Sequence, residues 1–191
     1  LLGLRNYIRS LRKGNVRLKG NIYDQVRAAY SVPREISIVT TGPPGFYNIF
    51  PTDLHGRINE EYYADSLRSS GNAGKQVEDS GRMVISRIDA AQYREAYSLG
   101  RNHMAELKPI HFESGMILSE KLGLPVAEGA LSYIELERIA TEGFVKGIHR
   151  VLIFRIINEK IIKSGSPLAH IHNYTAAWRE KRGIMTKYLY R

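Results

Sequence analysis

Six short β-rich runs, each stopped by glycine, proline or small polar residues, constrain this chain more than any other feature. They are Glu35–Thr41, Phe46–Pro51, Tyr62–Arg68, Arg82–Ile88, Ala130–Ala140 and Ile148–Asn158. Each is strand-length and rich in β-branched and aromatic residues, and Glu35-Ile36-Ser37-Ile38-Val39-Thr40-Thr41 alternates with period two. Gly42-Pro43-Pro44-Gly45 marks a tight turn, and Thr141-Glu142-Gly143 a hairpin-like connection between the two longest runs. Many strands joined by short turns predict a mainly β molecule, a closed β-barrel with helical additions. Periodicity alone leaves an α+β sandwich open.

Helices fill in around the strands. Residues 72–80 read as a helix with Asn72 as N-cap and Gly81 as stop, and Asp89 caps another running to Gly100. Residues 101–128 carry Pro109, Gly115, Gly123 and Pro125 without a period, which suits a lid or subunit arm. At the N-terminus Leu1, Leu4, Ile8 and Leu11 recur at helical spacing, ending near Gly14, and Asp24–Tyr30 reads as a short helix before Pro33. The apolar stripe is expected to dock on protein rather than on a membrane. The tail is read as helical with Trp178 as its anchor. The expected organisation is an N-terminal helical extension (1–32), a barrel domain (33–170) and a helical tail (171–191).

Composition removes several functions. No apolar run approaches the about 20 residues needed to span a bilayer. The chain has no cysteine, so disulfides, thiolate ligands and thiol nucleophiles are excluded, and a reducing, cytoplasmic setting is expected. The net charge of +9 favours anionic partners: nucleic acid, a membrane surface or a phosphorylated cofactor. Arg5, Arg9, Arg12, Lys13, Arg17 and Lys19 form one basic group, and Arg179, Lys181, Arg182, Lys187 and Arg191 another. Aromatic residues are not interleaved there as stacking platforms, which counts against nucleic acid.

The chemistry concentrates after the third run. Tyr62–Arg68 passes through Ser69-Ser70-Gly71-Asn72-Ala73-Gly74-Lys75 into a helix start. Free N–H groups and the helix dipole make such a junction an anion cradle, and Arg68 and Lys75 add formal charge. It is no Walker A loop, because position 69 is Ser and position 76 is Gln. His170 and His172 on a strand would share a face, yet two ligands without a carboxylate make no metal set, and none is expected. Ser114 lacks a nucleophile-elbow context, so hydrolase chemistry is not supported.

Taken in order, Ile36–Thr41, Asn48–Gly56, Ser66–Gln76, Gly81–Ser86, Leu124-Pro125-Val126 through Glu137, and Gly147-Ile148-His149-Arg150-Val151-Leu152 resemble the flavin reductase-like family of FMN-binding split barrels. The resemblance spans roughly residues 33–170. It implies a six-stranded split barrel, a homodimer, FMN near the dimer interface, and NADH or NADPH as reductant. It places Ser66, Arg68, Ser69, Ser70, Asn72, Ala73 and Lys75 at the FMN phosphate. It places Asn48, Phe50, Pro51, Thr52, Asp53, Leu54 and His55 along the isoalloxazine ring and ribityl chain, where a proline-stiffened turn offers backbone donors. His149 falls near the flavin or closes a turn. The Phe50–Gly56 run and the N-terminal helix depart from the family pattern and bear on the substrate. The resulting expectation is an FMN-binding oxidoreductase that reduces flavin or a flavin-coupled acceptor; alternatives are an FMN-binding protein without turnover and a basic nucleic-acid-binding barrel. No catalytic side chain is assigned.

Overall fold

Strand β2 (Ser37–Thr41) is buried at all five positions. A strand hidden on both faces needs cover on either side, and the rest of the architecture supplies it. The computed structural model describes Ile8 and residues 32–109, 117–139, 144–146 and 149–170. The chain divides into two units: Arg34–His170, and a second made of Leu1–Pro33 with Ile171–Arg191. The expected helix at 24–30 and the Trp178 tail lie outside the described residues, as does the N-terminal stripe apart from Ile8.

In chain order the strands are β1 (Arg34–Glu35), β2, β3 (Phe46–Thr52), β4 (His55–Arg57), β5 (Tyr62–Arg68), β6 (Arg82–Ile88), β7 (Lys108–Pro109), β8 (Ala130–Arg138), β9 (Phe144–Lys146), β10 (His149–Ile161) and β11 (Ala169–His170). Helix α1 (Asn72–Ser80) joins β5 to β6, and α2 (Tyr93–Ser98) follows β6. The main sheet is ordered β4-β5-β10-β8-β6-β2-β3-β7, with β9 paired to β10. All its pairings are antiparallel.

Closure follows from connectivity. β3 and β4 lie near opposite ends of that order, yet only Asp53 and Leu54 separate them in the chain. Two linking residues reach only about 10 Å, so the sheet curls until its ends meet. Two bonds cross the seam: Ser66 N donates to Leu54 O at 2.9 Å, and Thr52 Oγ1 to Asp65 Oδ1 at 2.8 Å. With β3 and β4 counted as one bent strand, the wall has six members, and the sandwich alternative is set aside.

Val39, Phe50, Tyr63, Leu67, Met83, Ile85, Leu136, Leu152 and Phe154 form the main core together with Ala73 and Val77 of α1. Ile36, Ile38, Ile88 and Leu168 pack with Ala96 of α2 in a second cluster. A third joins Tyr47, Val84, Ala130 and Tyr133 to Leu124 and Val126. No helix among the described residues is long and apolar enough to cross a membrane.

The local readings hold for β5, β6 and α1, whose bounds are those expected. Others change. The run 35–41 breaks at Ile36, whose N–H donates to Leu168 O at 2.9 Å, so β1 pairs with β11 while β2 enters the barrel. The N-cap of α1 is Gly71, not Asn72; the Asn72 amide instead donates to Met104 O and Glu106 Oε1. Gly81 does close the helix, at φ 66° with its N–H on Val77 O. The single helix expected from Asp89 to Gly100 is a 3-10 turn (Ala90–Gln92) capped by Asp89, then α2, then a 3-10 segment (Leu99–Met104). The described parts of 101–128 are docked rather than free. Asn102 Nδ2 donates to Ile49 O at 2.7 Å. Buried Glu135 of β8 accepts from Lys121 N, Leu122 N and Asn158 Nδ2 at 2.9, 2.6 and 2.8 Å.

Candidate functional site

The site grows from the alternation of β5. Tyr63, Asp65 and Leu67 are buried, and Tyr62, Ala64, Ser66 and Arg68 face outward. Across the ladder on β10, Val151 stands opposite Ser66 and His149 opposite Arg68. Ser66 Oγ lies 3.3 Å from His149 Nδ1. Sequence reasoning put His149 near this region without naming its partner.

β5 then turns into α1. Gly71 N donates to Arg68 O at 3.1 Å, leaving Arg68, Ser69 and Ser70 exposed at the helix start. A Cβ on Gly71 would lie 3.0 Å from His103 O, so a larger residue there would press on the 99–104 segment. The first turn of α1 carries no acidic residue, and no side chain caps it. Its N–H groups and dipole therefore face the exposed arginine and serines without a resident anion. The Arg68 side chain makes no hydrogen bond or ion pair among the described residues. Lys75 sits a turn further on, exposed and paired with Asp79 at 2.5 Å.

The run 48–55 splits between core and surface. Phe50 has no exposed area, and its ring centroid is 5.0 Å from that of His103. Asn48 is buried and donates to Gln76 Oε1 and Asn102 O at 2.6 and 2.9 Å. Thr52 is buried on Asp65, Pro51 is half-buried, and Ala73 packs in the core. The side chains of Phe50 and Ala73 thus offer no surface to a ligand; these stretches offer backbone. Asp53 pairs with Arg34 at 2.7 Å.

Asp53, Leu54 and His55, together with Arg34, Gly56, Ile58, Ala64, Ser66 and Val151, line a cleft of about 530 Å³. Its polar floor was not anticipated. Asp65 is fully buried yet borders the cleft, and burial pushes its carboxyl from the ordinary 3.8 to about 7. Its Oδ2 has no partner among the described residues. His55 Nδ1 lies 2.6 Å from Tyr63 Oη, while its Nε2 is buried without a partner. Burial lowers the His55 pKa and raises that of Tyr63, the latter with a further push from Asp65. The strict alternation of β5 marks Asp65 as sharing a face with Tyr63 and Leu67, which is the signal that could have found it.

The structure thus brings Asp53, Leu54, His55 and Ser66 to one cleft. It puts Arg68, Ser69 and Ser70 at the helix start next along β5. Asn48, Phe50, Thr52 and Ala73 lie beneath as support, and Asn72 is engaged with residues 104 and 106. Among the described residues no group of three His, Asp or Glu could hold a metal. His170 Nδ1 bonds Tyr97 Oη at 2.8 Å, and His172 lies outside the described residues.

No family model and no curated protein sequence matches the chain. Solved structures do. The flavin reductase component of a bacterial two-component tryptophan halogenase superposes with a TM-score of 0.67 at 16% identity, covering 78% of this chain and 93% of that one. This barrel has the flavin reductase-like fold. An NADH:FAD oxidoreductase from Streptomyces globisporus is similar at TM-score 0.65 and 14% identity, over 81% of this chain and 92% of its own. An FMN-binding protein from Thermus thermophilus is similar at 0.64 and 16%, over 85% and 91%. The cleft measures several hundred Å³, and the helix start offers a guanidinium, two hydroxyls and helix N–H groups, the donor types that suit a phosphate.

Proposed function

We propose that this protein is an FMN-binding oxidoreductase that uses NADH or NADPH to reduce flavin or a flavin-coupled acceptor. The observation that carries the reading is that one strand, β5, feeds both parts of the site: Ser66 lines the cleft, and Arg68 stands exposed at the start of α1. Bound flavin supplies the hydride chemistry. Arg68, Ser69 and Ser70 hold the phosphate with the N–H groups of α1, and Lys75 joins them on leaving Asp79. Leu54 and Val151 give the ring apolar contact, and the backbone of 53–55 gives it hydrogen bonds. The Asp53–Arg34 pair stiffens that turn. Buried Phe50 and Thr52 fix the turn from below.

Two copies are proposed to associate through the outer face of β5 and β10, which presents Ala64, Ser66, Val151 and Ile153. A chain without cysteine suits a reducing compartment such as the cytoplasm.

The deciding experiment is a visible spectrum of the purified protein before and after FMN is added and the excess removed. Retained bands at roughly 370 and 450 nm support the reading, and anaerobic addition of each nicotinamide then finds the reductant. A protein that takes up no FMN overturns it. FMN retained without oxidation of either nicotinamide leaves a flavin-binding protein without turnover.

A further inference from the structure

Two polar atoms are buried without partners under one cleft, Asp65 Oδ2 and His55 Nε2. Orphaned buried polar groups are rare in native proteins and carry a cost of desolvation, so a pair of them beside one cavity calls for an account. The two residues stand opposite each other in the β4–β5 ladder. Thr52 Oγ1 occupies Asp65 Oδ1 and leaves Oδ2 open; Tyr63 occupies Nδ1 of His55 and leaves Nε2 open.

We propose that Asp65 holds a proton beneath the cleft and that this proton sets the charge the cleft accepts: a ligand whose ring carries negative charge binds while Asp65 is neutral and is released when Asp65 ionises. This deepens the flavin reading and rests on it. A reduced flavin is such a ligand in its deprotonated form: two electrons and two protons leave the ring neutral, and loss of one ring proton leaves it with a single negative charge.

Burial favours the neutral acid and outweighs the Thr52 hydroxyl and the Ser66 N–H, which favour the carboxylate. On β10 the residue opposite Asp65 is Leu152, and β3 contributes Phe50 and Thr52. The charged and titratable groups around the cluster are Asp53, Glu35 of β1, His55 and Arg57 of β4, Tyr63 of β5 and Glu159 of β10. Arg34 is paired with Asp53 and Arg57 with Glu159, so neither cation is left to Asp65 alone. Burial already raises the carboxyl to about 7, and a negative ligand raises it further. Affinity for that ligand then falls as pH rises through about 7, by at most tenfold per unit for one linked proton.

The test is titration of the full chain with FMN reduced by dithionite, followed anaerobically by the change in flavin absorbance, at about pH 6 and about pH 8. Free FMN titrates identically in every sample, so the difference between variant and wild type isolates Asp65. Asp65→Asn is expected to match wild type at the lower pH and to bind about tenfold more tightly at the higher. Thr52→Val removes the side-chain donor that stabilises the carboxylate and is expected to move the wild-type inflection to higher pH. Parallel pH profiles for wild type and Asp65→Asn overturn the proposal. If Asp65→Asn does not fold, an unmoved inflection in Thr52→Val does the same. A wild type that forms no complex with oxidised or reduced FMN instead defeats the flavin reading, and the proposal with it.

Discussion

Arg68 carries a full charge at the surface of β5 with no partner among the described residues. Its removal therefore costs the fold little and a phosphate ligand much. Arg68→Ala is expected to weaken FMN binding by about 1.5–3 kcal/mol, the scale of a charged hydrogen bond, with the melting temperature unchanged; fluorescence titration and calorimetry read the two effects. Asp65 behaves oppositely. Its folded pKa stands above the ordinary 3.8, at about 7, so the native state binds the extra proton and loses stability as pH rises between those values. The three-unit gap is on the order of 4 kcal/mol, an upper bound. Asp65→Asn should then raise the melting temperature at about pH 8 relative to wild type more than it does at about pH 5. Equal shifts at both values would mean that folding does not raise the pKa of this carboxyl and that it is already ionised in the native protein at about pH 5.

At the scale of elements, turns and clamps carry the fold. Gly42 sits at φ 131°, and a Cβ there would lie 2.2 Å from Phe46 O. Backbone cannot yield as a side chain can, so Gly42→Ala should open the turn between β2 and β3, at a cost of at least about 2 kcal/mol in urea unfolding. Glu135 clamps residues 119–124 onto β8. Burial opposes its charge, but the Leu122 N–H, the Ser119 hydroxyl, the Asn158 amide and the Lys121 N–H together hold its pKa below the ordinary value. Glu135→Ala leaves those donors buried and unmet, and is expected to destabilise by about 2–4 kcal/mol in the same assay. These elements also mark what a reader of the sequence can see. β5, α1 and Gly81 are legible because alternation, helical spacing and a left-handed cap are local. The break at Ile36 is not, since its partner Leu168 is far along the chain. Nor is the outward or inward sense of β5: its alternation is plain, but only closure onto Thr52 decides that Asp65 is the buried member. The same holds for the candidate site. The helix-start cradle reads from neighbouring residues, whereas the cleft needs β4, β5 and β10 together.

Across the whole molecule the charge is unevenly shared. Residues 34–170 hold 16 Lys and Arg against 17 Asp and Glu, a net of −1. The second unit holds twelve basic and two acidic residues, a net of +10, so it supplies the entire surplus. Flavin affinity and attraction to polyanions should therefore separate. Replacing Arg179, Lys181, Arg182, Lys187 and Arg191 by Gln should lower the salt at which the protein leaves a heparin column while leaving FMN affinity within about twofold. Loss of both together would place the second unit in the flavin site.

The seam at Asp53 and Leu54 has a bearing on birth of the chain at the ribosome. β5 is translated early, but its second neighbour is β10, with His149 opposite Arg68, 81 residues later. Through that interval the hairpin of β4 and β5 has an unfilled edge, and neither the cleft nor the barrel exists. Distant pairings of this kind slow folding and leave strands open to wrong partners. A nascent chain halted before residue 149 would thus be protease-sensitive throughout, and resistance would arrive in one step once β10 has emerged.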